Sequence, residues 1–474
     1  MKKLIVIVFI VFGAFLTLCL YRTYAYDTSV VEEVPSTTDL EYTFKIGNSS
    51  IKQITVDSGE TRYYDIVLGN PNNAKISYSV YYEMVSPSTK PDDYKIEYTS
   101  KSTGDSTGIV NNNGNITLNI VVTNTSSSAV TVKVGTVAGY VKGGELTLNS
   151  GQEVIPKKVT ASNYIMSLDD GSTGDSGSGV YKVTHSAIPA GSSATGGEIQ
   201  AVTDYRYYGA SPDNYICLDM EGGSTCPDKH LYRIIGSIYE EKENTNRIKV
   251  IKATPLTDGT TKGYAWDSGN VNIWATITNG NYSNSLTSGA SLMKLLNSGD
   301  WWNRTNTFAN YGLTEKAKSY ITTSRYYLGG YNNSNGVMTN QFYAYERGTT
   351  RYDTNRPLYW DGMVGLMYPS DFGYAAGNSC VTGTDPYNYN AVGGCKNKDW
   401  LWMTTSSDYT NGAEWLMSPY SGNSDYVFDV FSSGYVNRNN NSHTVYSARP
   451  VFYLNSSASI SKGDGTLNAP YILS

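Results

Sequence analysis

Histidine and charged side chains are scarce in this sequence. Its 474 residues include three histidines, and Asp, Glu, Lys and Arg together make up 16% of the chain, below the roughly 25% of typical globular proteins. So few histidines disfavour the hydrolytic and metal chemistries that depend on them. The 36 Lys and Arg residues are outnumbered by 42 Asp and Glu residues and form no basic run. We therefore expect no nucleic-acid partner.

Cysteine is also scarce, with five residues in the chain. One, Cys19, lies in an apolar N-terminal run, and the other four are Cys217, Cys226, Cys380 and Cys395. An even number of cysteines is typical of disulfides formed in an oxidising compartment. Of the three possible pairings, closeness along the chain favours Cys217 with Cys226 and Cys380 with Cys395. Free thiols are one alternative, and a zinc site of four thiolates is another, although its usual pair of Cys-x-x-Cys motifs is missing.

The N-terminus combines a basic start with a long apolar run. Two lysines precede an apolar segment over residues 4–20, which is long for a signal peptide and at the short limit of a membrane-spanning helix. We predict that residues 1–25 are a signal peptide or a retained membrane anchor, and both alternatives stay open. The lysines place the remaining chain on the extracellular side of the membrane. Residues 26–40 are polar and serve as a spacer.

Tyrosine and polar turn residues are abundant in the sequence. The chain has 42 Tyr and 46 Gly, and residues 41–156 show short alternating apolar runs separated by Asn, Ser and Gly clusters. In the run from Ile116 to Thr123, every second residue is apolar, which places those side chains on one face of a strand. Seven such runs predict an immunoglobulin-like β-sandwich that acts as a stalk.

A change in composition separates this first segment from the rest. Residues 157–200 are rich in Gly, Ser and Asp and are predicted to be a flexible linker, and all eight tryptophans follow it. Residues 201–474 contain a strand hairpin predicted over 232–252 and a helix predicted over 290–296. Many further short strands indicate an α+β domain. The whole chain is therefore expected to be mainly β with an α+β head.

The C-terminal part resembles a known superfamily. The residues that carry the resemblance are Trp415, Ser418-Pro419, Gly434-Tyr435-Val436 and Ala448-Arg449-Pro450-Val451. They resemble the signature of bacterial C-type-lectin-like modules. The stretch 205–473 as a whole is similar to a family of uncharacterised exported proteins of Gram-positive bacteria.

The resemblance implies where a ligand would be bound. Modules of this class present ligand contacts on loops before and between the last strands, here residues 420–425 and 437–442. Amide, carboxylate and guanidinium groups suit sugar hydroxyls, and tyrosine adds a flat apolar face. The predicted ligand-binding residues are Tyr420, Asn423, Asp425, Tyr435, Asn437, Arg438 and Asn440.

These observations together predict an exported surface protein. It is either anchored at the membrane or secreted, and it serves in adhesion or in recognition of a glycan or protein ligand. The alternatives are a structural component of a surface assembly and a carbohydrate-active enzyme. We expect no enzyme activity, no cofactor and no metal site, because the three histidines (His185, His230 and His443) lie in polar loop sequence and no run has EF-hand spacing.

Overall fold

The structure is a computed structural model that describes residues 43–46, 53–100, 108–140, 146–155, 160–278, 281–282, 285–391 and 394–473. The predicted signal or anchor segment and the spacer, residues 1–40, lie outside the described residues. The chain divides into two compact units, residues 1–158 and 159–474. Both are built mainly from β-strands in several antiparallel sheets. Within the described ranges, no helix has the length and apolarity needed to cross a bilayer.

The first unit contains two antiparallel sheets. One has the strand order β1-β3-β7-β5, and the other has the order β2-β8-β4-β6 with β9 paired to β4. The strands are β1 Thr43–Ile46, β2 Gln53–Val56, β3 Glu60–Asn70, β4 Ile76–Ser86, β5 Tyr94–Ser100, β6 Ile109–Val110, β7 Gly114–Asn124, β8 Val130–Tyr140 and β9 Gln152–Val154.

Both sheets of the first unit contribute to a single apolar core. Leu118 and Val122 of β7 are completely buried, as the alternating pattern predicts, and Val132 and Val134 of β8 join the same cluster from the other sheet. Each buried aliphatic side chain of this kind contributes roughly 1.5–3 kcal/mol through the hydrophobic effect. The period of two along each strand thus produces a two-layered sandwich.

The second unit is larger and combines strands with short helices. Its strands are β10 Gly179–His185, β11 Val202–Tyr208, β12 Tyr215–Cys217, β13 Leu231–Glu240, β14 Thr245–Lys252, β15 Tyr264–Ala265, β16 Ile277–Thr278, β17 Asn281–Tyr282, β18 Ser324–Tyr327, β19 Tyr359–Gly362, β20 Val364–Gly365, β21 Ala413–Pro419, β22 Tyr426–Phe431, β23 Tyr435–Asn441, β24 Val445–Tyr446, β25 Val451–Tyr453, β26 Ile460–Lys462 and β27 Tyr471–Leu473. Its helices are α1 Ala161–Met166, α2 Ser291–Asn297, α3 Asp300–Asn303, α4 Glu315–Ser319, α5 Thr339–Glu346, α6 Pro369–Ala375 and α7 Asn378–Gly383.

Two sheets organise the second unit. The central sheet runs β20-β25-β14-β13-β12-β27-β26, and β11 and β10 are added beside β13. A separate antiparallel sheet has the order β21-β22-β23. The hairpin predicted over 232–252 is the β13–β14 pair, and the helix predicted over 290–296 is α2. The core of the unit includes Trp266, Trp360 and Trp415, which are completely buried.

The structure differs from the predicted linker over residues 157–200. β10 pairs with β11 along its whole length, from Gly179 opposite Tyr208 to His185 opposite Val202. Tyr181 and His185 of this strand are buried, and His185 stacks on Tyr343 of α5. The Gly- and Ser-rich tract is a turn that leads into a strand of the second unit, and its polar composition concealed the short apolar pattern that follows it.

Two disulfides close loops of the second unit. Cys217 bonds to Cys226 and Cys380 bonds to Cys395, with Cα–Cα distances of 5.8 and 5.7 Å. This is the pairing that closeness along the chain favoured. Such bonds form in oxidising environments and are typical of extracellular proteins.

Candidate functional site

The predicted ligand-binding residues fall into two groups. Tyr420, Asn423 and Asp425 belong to the turn between β21 and β22, whereas the others lie on β23. All seven side chains are half-buried. Three of the four β23 residues lie around the carboxylate of Asp429, which is not one of the predicted ligand-binding residues. These three are Tyr435, Asn437 and Asn440.

The β21–β22 turn is held from beneath by one asparagine. The Nδ2 group of Asn272 donates to the carbonyl oxygens of Tyr420, Asn423 and Tyr426 at 2.9, 3.0 and 2.6 Å. Asn272 is buried and lies about 150 residues earlier in the chain, so nothing in the local sequence identified it. Because the Nδ2 group has two hydrogens, at least one of them is shared between two of these carbonyl oxygens, and one side chain joins three points of the turn.

The predicted side chains of this turn are themselves engaged in internal hydrogen bonds. The Tyr420 hydroxyl donates to the carbonyl oxygen of Asn332 at 3.0 Å, and Asp425 Oδ2 accepts from Asn270 Nδ2 at 3.2 Å. Asn423 Oδ1 accepts from the backbone N–H of Asp425 at 3.3 Å. These contacts shape the turn.

Asp429 of β22 lies at the centre of the second group. Its side chain is fully buried, and Oδ2 accepts hydrogen bonds from Asn440 Nδ2 at 2.7 Å and Asn437 Nδ2 at 3.4 Å. Burial raises the pKa of Asp429 to about 7, although the two amide donors oppose the shift. The two asparagines are therefore fixed with their N–H groups directed at the carboxylate.

Three aromatic rings cluster where β22 ends and β23 begins. Phe431 and Tyr435 are cross-strand partners of β22 and β23 and stack with centroids 5.2 Å apart and planes 4° from parallel. The ring of Tyr387 meets Tyr435 edge-on at 5.6 Å. All three rings are half-buried and keep part of their surface exposed. We call Tyr387, Phe431 and Tyr435 the aromatic platform.

The platform depends on residues that the sequence interpretation missed. Phe431 lies two residues after Asp429 on β22, and the period of two along a strand places both side chains on one face. Tyr387 could not be identified from the sequence, because it lies in a single 3-10 turn, Pro386–Asn388, that meets β23 only in the tertiary structure. Arg438, which was predicted, bonds Asn333 Oδ1 and Ser334 Oγ and fastens a neighbouring loop instead.

A buried network of charges lies elsewhere in the second unit. His185 Nε2 and Asp204 Oδ2 are 2.8 Å apart, and Arg206 Nη2 donates to the same carboxylate oxygen at 2.7 Å. Arg206 Nη1 donates to Asp371 Oδ1 at 3.0 Å, and Lys249 Nζ donates to Asp371 Oδ2. All five side chains are almost completely excluded from solvent.

The expectation that His185 is a solvated loop histidine is wrong. It closes β10, is 4% exposed, and stacks on Tyr343 with ring centroids 3.6 Å apart. Burial lowers the pKa of His185 despite the nearby Asp204 carboxylate. Burial also opposes ionisation of Asp204, but Arg206 and His185 together hold its pKa below the usual value. His230 is buried as well, in contrast to the exposed His443.

An open cleft borders β10. Its volume is about 660 Å³, and four successive residues of β10, from Tyr181 to Thr184, line one side. The other walls come from Ser172 and Thr173 in the turn before β10, from the start of α5, from α7 and from Tyr374. Lys182 is the one charged residue among the described residues that line it. We call this feature the β10 cleft.

No protein-family model, no curated protein and no solved structure matches the chain. The resemblance to C-type-lectin-like modules therefore stays a prediction. Across the described residues, no group of three or more His, Cys, Asp or Glu side chains is arranged to hold a metal ion.

Proposed function

We propose that this protein is an extracellular recognition protein whose second unit binds a glycan at the aromatic platform. In this proposal the first unit is an immunoglobulin-like stalk, the second is a C-type-lectin-like head, and residues 1–25 direct export or retain the protein at the membrane. The two disulfides support the extracellular location. The mainly β architecture of both units is compatible with these fold assignments.

The observation that carries the proposal is the platform with its ordered amides. Sugars present an apolar face of C–H groups and a rim of hydroxyls, so their receptors combine flat aromatic rings with fixed hydrogen-bonding groups. Tyr435 and Phe431 supply nearly parallel rings. Asn437 and Asn440 are held next to them by Asp429 before any ligand arrives. Such pre-organisation reduces the entropy lost on binding.

The first test is a glycan array probed with the full-length protein, followed by affinity measurement for each glycan that binds. We expect Tyr435→Ala to weaken binding at least tenfold, because it removes half of the stacked pair. Tyr352→Ala is the matched control: Tyr352 is 47% exposed and is not a platform residue, and this variant should bind as the wild type does. Thermal unfolding of both variants checks that they are folded.

The array also separates the alternatives. Binding that is unchanged in Tyr435→Ala would place the glycan site elsewhere and contradict the proposal. Absence of binding to every glycan would favour a structural role in a surface assembly.

A further inference from the structure

Strand β10 has an unpaired edge. Among the residues that the structure describes, β10 pairs with β11 on one side, and on the other side a single bridge joins Val180 to Asp169. Within the described ranges, no other strand covers the stretch from Tyr181 to His185. Unpaired edges are sites where another strand can add, and proteins usually cover or protect them.

The orientation of the β10 backbone follows from its neighbour. In β11 the carbonyl oxygen of Thr203 accepts from Asn246 Nδ2 at 2.9 Å, and that of Tyr207 accepts from Trp400 Nε1 at 3.0 Å. These two residues therefore direct their main-chain groups away from β10. Because the direction alternates along a strand, Tyr205 between them does the same.

The register of the β10–β11 pair shows which β10 residues direct their main-chain groups away from β11. Thr184 faces Thr203, Lys182 faces Tyr205 and Val180 faces Tyr207. In an antiparallel pair, residues opposite such outward-facing partners also point outward. The N–H and C=O groups of Val180, Lys182 and Thr184 therefore all point to the free edge.

The parallel bridge between Asp169 and Val180 lies at the start of this edge. Beyond it, the described chain provides no main-chain hydrogen bond for Lys182 or Thr184 on this side. Two residues in alternate positions thus offer two donors and two acceptors, in the pattern that an added strand requires.

The free edge opens into the β10 cleft. Successive side chains of a strand point to opposite faces, so a cavity that touches four consecutive residues, from Tyr181 to Thr184, must border the edge of the strand. The start of α5, helix α7 and the turn residues Ser172 and Thr173 contribute the other walls. A volume of about 660 Å³ is within the range of ligand sites.

We propose that the β10 cleft binds an extended peptide, which adds to β10 as a further strand. Main-chain hydrogen bonds to Lys182 and Thr184 would supply affinity, and the walls would supply specificity. On one face Val183, Tyr374 and Val381 present apolar surface. On the other face Lys182 presents a positive charge. The expected peptide therefore alternates apolar side chains with acidic or hydroxyl-bearing ones.

This proposal is independent of the glycan site and names a different ligand class. A saccharide lacks the repeated N–H and C=O groups that match the strand edge. A protective role for the edge is the competing explanation, since lysine on an edge strand discourages pairing. The two explanations predict opposite results with a peptide probe.

The test uses the full-length protein and an array of ten-residue peptides in which Val or Ile alternates with Glu, Thr or Ser. We expect binding by members of the array. N-methylation of one alternate set of peptide amides should abolish it, whereas methylation of the other set should be tolerated, because only one set faces β10. Hydrogen exchange should show that peptide protects the Lys182 and Thr184 amides, which exchange rapidly in the free protein.

Variants locate the site. Lys182→Glu should weaken binding of the glutamate-containing peptides at least tenfold, whereas Lys462→Glu, an exposed charge reversal on β26, should not. Thr382→Trp fills the cleft from α7 and should also remove binding. Failure of every peptide, or equal effects of the two methylation patterns, would overturn the proposal in favour of edge protection.

Discussion

Asp429 is a buried carboxylate whose partners are neutral amides. Among the described residues no Lys, Arg or His shares in the shift of its pKa to about 7. A carboxylic acid whose pKa is raised on folding holds its proton more tightly in the folded state than in the unfolded state. Its contribution to stability is complete below the ordinary value near 3.8 and is lost as the pH rises through about 7.

Asp429→Asn should remove this pH dependence. As the pH rises from 4 to 8, we expect the free energy of unfolding of the wild type to fall relative to that of the variant, by on the order of 4 kcal/mol at most. Urea unfolding of both proteins at several pH values measures the difference. Burial also raises the pKa of Glu346 to about 7. Glu346 is present in both proteins, so its contribution to the pH dependence of the free energy of unfolding cancels in the comparison. A difference that does not change with pH would show that Asp429 titrates normally.

At the scale of elements, the Cys380–Cys395 disulfide connects the two proposed sites. It fixes helix α7, which lines the β10 cleft, to the segment that carries Tyr387 of the platform. The bridge spans 15 residues, and closing a loop of that length contributes about 3 kcal/mol. This bond therefore stabilises the position of one platform ring.

The double variant Cys380→Ser/Cys395→Ser should lower stability by about 3 kcal/mol and weaken glycan binding several-fold, because Tyr387 loses its support. Cys217→Ser/Cys226→Ser is the matched control, since it removes the other bridge, whose short loop contains no platform residue. Denaturant unfolding and glycan titration measure the two effects. Equal losses of glycan affinity in both double variants would contradict a specific role for Cys380–Cys395.

The whole molecule contains two units with separate apolar cores. Leu118 is completely buried in the core of the first unit, and replacing a buried leucine by alanine costs about 2–5 kcal/mol. Leu118→Ala should therefore lower the unfolding temperature of the first unit and leave ligand binding by the second unchanged. Calorimetry and a glycan or peptide titration of the same sample provide the measurement. Loss of binding at temperatures where only the first unit has unfolded would show that the second unit depends on it.

Local patterns accounted for much of the architecture. The alternation in β7, the β13–β14 hairpin and helix α2 were all predictable, because each depends on the spacing of apolar residues within one short segment. The pairing favoured for the four cysteines also followed from distance along the chain. The same approach failed at β10 and His185, where a polar tract precedes a short strand that is buried only by its neighbours.

The composition and the periodicity of this chain determined a mainly β protein with two disulfides, because these properties depend on residue types and on near neighbours. The tertiary structure alone decided which polar groups meet. It placed Tyr387 beside Tyr435, enclosed Asp429 beneath two asparagines, and left one edge of β10 open to a cleft. Such contacts join residues far apart in the chain, and their energies depend on burial and on the direction of individual groups, which the order of the residues does not display.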